Sequence, residues 1–403
     1  MPPVIAVVGT LDTKGRELAT LAEVIRENGA TPLLVDCGVM EPSIAPDVSH
    51  LEVSGAAGVN LSELQTRGDR GAAVEAMARG AAVLIRRLYD EGRIQGVVSL
   101  GGSAGTTIAT AAMRALPFGV PKLMVSTLAS GNTEPYVGTR DVTMMYSVVD
   151  IAGLNRISRQ VIRNAGGAIC GMVNARLAAP TDEDKPILTA TMFGVTTPCV
   201  TRARERLEAA GYEVLVFHAT GTGGRAMEDL IRDGLVAGVL DVTTTELADE
   251  LVGGALSAGP DRLEIAGERG IPQVVGPGAL DMVNFGPVES VPERFRERRL
   301  YQHNPTVTLM RTTPEEMAAL GETIAKKLSS SRGPVTFFLP LHGVSAIDRA
   351  GQPFDWPEAD DAFRAAFKAH RSDRVKLVEM DYHINDPAFA DAMADELLSY
   401  LKT

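Results

Sequence analysis

The chain reads as an α/β protein built from two Rossmann-like domains, each an open, mainly parallel sheet flanked by helices. Three observations predict this. Short β-branched runs that are apolar at nearly every position recur along the 403 residues, as parallel strands covered on both faces require. Each run is followed by a Gly/Thr/Ser loop and then a helical stretch, the grammar of strand–helix–strand units. A polar, proline-bracketed stretch from Pro180 to Pro186 interrupts the alternation before it restarts, which places the domains over 1–180 and 186–403.

The elements follow in order. Residues 4–8 form a strand that runs into Gly9-Thr10-Leu11-Asp12-Thr13-Lys14-Gly15. A helix comes next, with Leu18, Leu21, Val24 and Ile25 at helical spacing. Gly29 stops it, and 32–37 is the second strand. Residues 70–91 read as a long helix, 96–100 as a strand, 104–116 as a helix and 122–127 as a strand. Past the break, strand 187–192, a Gly/Thr loop, helix 199–210 and strand 213–217 echo the opening of the first half. Further strands are expected at 236–242, 273–275, 307–311, 335–339 and 375–380.

Composition excludes several partners. The formal net charge is −12, from 51 acidic and 39 basic residues. A field of that sign repels phosphate backbones and anionic lipid, so neither nucleic acid nor a membrane is expected. Only 5% of residues are aromatic, with one tryptophan, Trp356. Cys37, Cys170 and Cys199 lack any C-x-x-C spacing, which suits reduced thiols and a cytoplasmic location.

In an open parallel sheet, ligands meet the carboxyl ends of the strands. Here those loops are rich in Gly, Thr and Ser: Gly9 to Gly15, Gly101-Gly102-Ser103-Ala104-Gly105-Thr106, Ser130-Gly131-Asn132-Thr133 and Gly221-Thr222-Gly223-Gly224. Glycines let backbone N–H groups close on an anion, and helix starts add donors. A nucleotide or small anionic ligand is the expectation. The P-loop spacing is absent. Gly101-x-Ser103-x-Gly105 has the spelling of a nucleophile elbow, but no histidine follows His50 in the first domain. Gly221-x-Gly223-x-x-Ala226, with Asp241 twenty residues on, is a permissive dinucleotide fingerprint. His218, His342 and His383 fall near predicted strand ends and are candidate acid–base groups or ligands of a divalent metal, its other ligands left open.

Taken jointly, Gly9-Thr10-x-Asp12-Thr13-Lys14-Gly15, Gly101-Gly102-Ser103-x-Gly105-Thr106, Ser130-Gly131-Asn132-Thr133, Gly276-Pro277-Gly278-Ala279-x-Asp281, Pro340-Leu341-His342-Gly343 and His383-Ile384-Asn385-Asp386-Pro387 resemble the UPF0261 family, the Tm-1-like ATP-binding family, over essentially the whole chain. The resemblance implies a homodimer or higher homo-oligomer that binds ATP. It assigns Gly9, Thr10, Asp12, Thr13 and Lys14, with the loops at Gly101–Thr106 and Ser130–Thr133, to a phosphate cradle. An acidic chain must meet a polyanion through local N–H groups, helix ends and Lys14, and Mg²⁺ should accompany it. The expected function is a nucleotide-binding protein with its site at the sheet edges between two domains. Two rivals stand beside it: a catabolic hydrolase or carbon–carbon lyase acting on a small carboxylate or oxo-acid, and a non-catalytic protein that sequesters a partner.

Overall fold

The computed structural model describes residues 2–178 and 185–402, so most of the polar stretch from Pro180 to Pro186 lies outside the described residues. The chain divides into two compact units, Met1–Asp182 and Glu183–Thr403.

The first unit runs β1 (Val4–Gly9), α1 (Leu11–Glu27), β2 (Thr31–Asp36), α2 (His50–Ala56), α3 (Leu61–Arg67), α4 (Arg70–Asp90), β3 (Gly96–Gly101), α5 (Ser103–Arg114), β4 (Lys122–Ser126), α6 (Glu134–Val137), β5 (Thr143–Tyr146) and α7 (Arg156–Leu177). Its five strands lie in the order β2-β1-β3-β4-β5, all parallel. β1 and β3 are buried along nearly their whole length, which explains the unbroken apolar runs. The stripe predicted on α1 faces inward, with Leu18, Leu21 and Ile25 fully buried. It packs against α7 so closely that a Cβ on Gly166 would lie 2.5 Å from Val24. Gly29 ends the helix region with φ +81°, a conformation that L side chains rarely adopt.

The second unit runs β6 (Ile187–Met192), α8 (Thr197–Ala209), β7 (Glu213–His218), α9 (Thr222–Arg232), β8 (Gly238–Thr243), α10 (Glu246–Val252), α11 (Ile265–Arg269), β9 (Gln273–Gly278), β10 (Met282–Phe285), β11 (Leu300–Asn304), β12 (Val307–Arg311), α12 (Pro314–Ser329), β13 (Val335–Pro340), α13 (Pro357–His370), β14 (Val375–Met380) and α14 (Pro387–Leu401). The parallel sheet reads β7-β6-β8-β9-β13-β14 from one edge. That is the strand order of the first unit, second-first-third-fourth-fifth, with one strand added. The echo in the sequence is therefore also an echo in topology. One feature departs from the parallel expectation: β10, β12 and β11 form a three-stranded antiparallel sheet between β9 and β13.

Candidate functional site

In the order β2-β1-β3 the chain leaves β1 toward one side of the sheet and β3 toward the other. Such a switch point leaves a crevice at the carboxyl ends of the two strands. Here it is a cavity of about 620 Å³, lined by the loops after β1, β2 and β3 and by α3 and α4.

The start of α5 lines the cavity. Gly102 is the N-cap, with no side chain to cap the helix, and the ladder begins only at Thr106 N, which donates to Gly102 O. The amides of Ser103, Ala104 and Gly105 thus belong to a first turn that has no intrahelical acceptors for them. Gly101 and Gly105 bring strand end and helix start together, since a Cβ on Gly101 would sit 3.0 Å from Gly105 Cα. Ser103 is the first helical residue, not the cap.

The start of α1 is different, because the protein supplies its own anion. Asp36, at the end of β2, accepts from Leu11 N (3.0 Å) and Gly38 N (2.8 Å) through Oδ1. Its Oδ2 lies 3.0 Å from His50 Nδ1. Burial raises its pKa. An acid at this position binds ribose in dinucleotide folds; here its oxygens face the protein. Asp12 Oδ2 accepts from Val39 N (3.2 Å) and Met40 N (3.1 Å). Gly38 permits that contact, since a Cβ there would lie 2.6 Å from Asp12 Cγ. Asp12 Oδ1 is buried with no hydrogen-bond partner among the described residues. Thr10 and Thr13 stand on the cavity wall, their hydroxyls 2.8 Å apart. Lys14 is on the same wall, its ammonium donating to Ile151 O.

The lining also holds aliphatic side chains: Val39, Leu64, Val74, Met77 and Ile108. Arg70, at the start of α4, adds a second cation that sequence reasoning missed. Its signal was Asp69, which caps α4 through Ala72 N. Cys37 also lines the cavity, but burial and nearby Asp36 push its thiol well up, so it stays protonated.

Several residues assigned to the cradle stand elsewhere. Gly9 is a packing glycine, with room for a Cβ only 2.5 Å from Leu18 Cδ1. The Thr106 hydroxyl is buried and bonded to Ser126 Oγ (2.7 Å), which docks α5 on β4. Ser130, Gly131, Asn132 and Thr133 do not line this cavity; Asn132 Oδ1 accepts from Glu134 N in the turn before α6.

In the second unit the glycine loop that spelled a dinucleotide site is already filled. Glu246 Oε1 accepts from Gly221 N (2.7 Å) and Gly224 N (3.0 Å) at the start of α9. Its Oε2 takes Arg262 Nε at 2.7 Å. Arg262, fully buried, forks onto Asp241 at 2.6 and 2.8 Å, and Glu228 stands 3.5 Å away. Asp241 and the helix start are both spent on internal partners. The start of α8 is likewise met by Asn385 Oδ1, 3.4 Å from Cys199 N.

The three histidines do not converge. Strand order puts His218 at the β7 edge and places His342 and His383 after β13 and β14, at the opposite edge. Five strand spacings, about 24 Å, separate those edges. The His218 ring meets Phe193 edge-on at 5.7 Å. His342 pairs with Asp381 at 2.7 Å, its side chain 60% exposed. His383 is 3% exposed; its Nε2 donates to Ser345 O (2.8 Å) and its Nδ1 accepts from Asn385 N (3.1 Å). Desolvation lowers its pKa, so it is a neutral, fully engaged core histidine with no nitrogen left for proton transfer. Among the described residues no cluster of three His, Cys, Asp or Glu side chains is placed to hold a metal.

A second buried arginine, Arg311, ties β12 to α13 through Asp360 (2.8 Å) and to Asp348 (3.2 Å). Burial first, and a neighbouring carboxylate second, push Asp348 and Asp360 up to about 7. Folded values above the ordinary 3.8 mean that the fold binds these protons more tightly than the unfolded chain does. Their stabilisation is complete below the unfolded value and is lost as pH rises through about 7. Calorimetric melting should therefore rise by a few degrees, roughly 2–5 °C, on going from about pH 8.5 to about 6.5.

Two parallel sheets of one strand order, the first with an open cavity at its switch point and the second with its glycine loop closed by Glu246, define a tandem α/β protein. The chain belongs to the uncharacterised protein family UPF0261: the N-terminal domain of that family matches residues 3–178 and the C-terminal domain residues 185–401. It is 52% identical to a UPF0261 protein of Clostridium tetani, over 99% of both chains. It is 41% identical to the ToMV resistance protein Tm-1(GCR237) of Solanum lycopersicum, over 98% of this chain and 55% of the tomato protein. Among solved structures, UDP-N-acetylglucosamine 2-epimerase from Rickettsia bellii covers 100% of this chain with 97% of its own, at 10% identity and a TM-score of 0.23. That distance leaves it without bearing on ligand or chemistry. No helix among the described residues is long and apolar enough to cross a membrane.

Proposed function

We propose that the first unit binds ATP or a closely similar nucleotide, with its phosphates on the amides that open α5 and its base against the aliphatic side chains of Val39, Leu64, Val74, Met77 and Ile108. The observation that carries this reading is the uncapped helix start on a cavity lined by both polar and aliphatic groups. A helix N-terminus favours an anion, and apolar surface favours the flat face of a base. The start of α1, by contrast, is answered by Asp36, that of α8 by Asn385 and that of α9 by Glu246. The resemblance to the Tm-1-like ATP-binding family is what singles out ATP among such anions. Asp12 lines the cavity and its buried Oδ1 has no hydrogen-bond partner among the described residues; a turn of the carboxylate would offer that oxygen to a Mg²⁺ ion carried in with the phosphates, whose charge would offset the acidic chain.

Titration calorimetry tests this on the full chain. Mg-ATP should bind saturably at one site per chain, with adenosine and pyrophosphate each binding far more weakly, and chelation of Mg²⁺ should cost about tenfold in affinity. Absence of heat from Mg-ATP at millimolar concentration would end the reading.

A further inference from the structure

Lys14 is held in an unusual way. It sits inside α1 with non-helical angles, φ −128° and ψ 19°, and its ammonium donates to the carbonyl of Ile151, far along the chain on the β5–α7 loop. The same loop carries Asp150 onto the cavity wall. The loop leaves β5 through a three-residue turn in which Val149 N donates to Ser147 O at 2.7 Å around Val148 at φ 65°. A β-branched residue with positive φ in so tight a turn is strained. Val148 is also 60% exposed, so packing does not hold it there. The loop is held by Ser147 Oγ donating to Val149 O at 2.7 Å, by the buried Ile151 side chain, by Lys14 on Ile151 O, and by Glu17 Oε1 accepting from Gly153 N at 2.6 Å. Gly153, at φ 81°, is a natural pivot.

We propose that Lys14 is a two-position lysine. In the free chain it is latched to Ile151 O; when the cavity is filled it transfers to the ligand's phosphate, the strained turn at Val148 relaxes, and Asp150 moves away from the bound anion. The idea rests on the nucleotide reading above and adds a regulation to that site. The transfer is favourable because a hydrogen bond from an ammonium to a phosphate pairs two charges, whereas the carbonyl is neutral. Removing Asp150 takes a like charge from beside the phosphates. Occupancy of the cavity is thereby reported at the surface of residues 147–153.

Hydrogen exchange on the full chain tests it, using the wild type, Lys14→Met and Val148→Gly, each with and without Mg-ATP. Lys14→Met alone should speed exchange of the hydrogen-bonded Val149 and Gly153 amides about tenfold, because the latch is gone. Mg-ATP should do the same in the wild type while slowing exchange at the start of α5. Val148→Gly, which adopts the turn without strain, should keep the loop protected and bind Mg-ATP about tenfold more weakly, since the closed state no longer stores the energy that favours opening. If Lys14→Met leaves the loop at wild-type exchange, or Mg-ATP binds and the loop becomes more protected, the latch is refuted alone. If the wild type takes up no Mg-ATP, the nucleotide reading falls, and the transfer with it.

Discussion

Gly102→Val should weaken Mg-ATP binding at least about a hundredfold, some 2.7 kcal/mol, while leaving the melting temperature within about 2 °C of the wild type. The asymmetry comes from the geometry at that residue. A Cβ on Gly102 meets only Thr127 Oγ1, at 3.9 Å, so the fold has room for it. Its φ of −82° suits any L residue. A branched side chain would instead stand in front of the open first turn of α5, where phosphate oxygens must come within hydrogen-bond distance of backbone N–H. Calorimetry paired with thermal melting separates the two quantities. A variant that binds normally would show that the helix start is not where the phosphates lie.

The largest effect on stability should come from Arg262→Met. The arginine is fully buried among Asp241, Glu246 and Glu228. Burial already raises the Glu228 carboxyl above its ordinary range. Removing the cation leaves three carboxylates facing one another without water, and breaking a buried ion pair from one side costs about 3–5 kcal/mol. For a unit of this size that is a fall of roughly 10 °C in melting temperature. Glu246→Gln is the milder comparison, because an amide oxygen can still accept from Gly221 N and Gly224 N. If Arg262→Met melts within a degree or two of the wild type, the cluster is no keystone of the second unit.

Most of the parallel strands were legible because both faces are covered, so that Ile5, Ala6, Val7 and Val8 are all fully buried and read as one run, whereas the short parallel β5, exposed at Thr143 and Tyr146, was missed. β11 was missed as well, being exposed over Gln302, His303 and Asn304. β10 is buried but only four residues long, and three residues separate it from the Gly-Pro-Gly end of β9. The glycine-rich turn at Gly101–Gly105, which opens α5 on the cavity, was legible because glycine there has a backbone reason. Which hydroxyls face it was not: Thr13 points to the cavity and Thr106 into the core, although both are threonines in glycine-rich turns.

The histidine assignments show what local pattern omits. His218 ends β7 and His342 and His383 follow β13 and β14, but sheet order, which no short window of sequence contains, puts the first at one edge and the others toward the opposite edge. The loop at Gly221–Gly224 is a similar case. Its glycines do cradle an anion, and that anion is the carboxylate of Glu246, 22 residues beyond Gly224.

A crystal structure of the full chain grown with Mg²⁺ and a non-hydrolysable ATP analogue tests the central claim most directly. The account predicts phosphate oxygens about 2.7–3.2 Å from the amide nitrogens of Ser103, Ala104 or Gly105, with the base against Met77 and Ile108. Nucleotide density seated elsewhere on the chain, with the first turn of α5 left facing solvent, would contradict it.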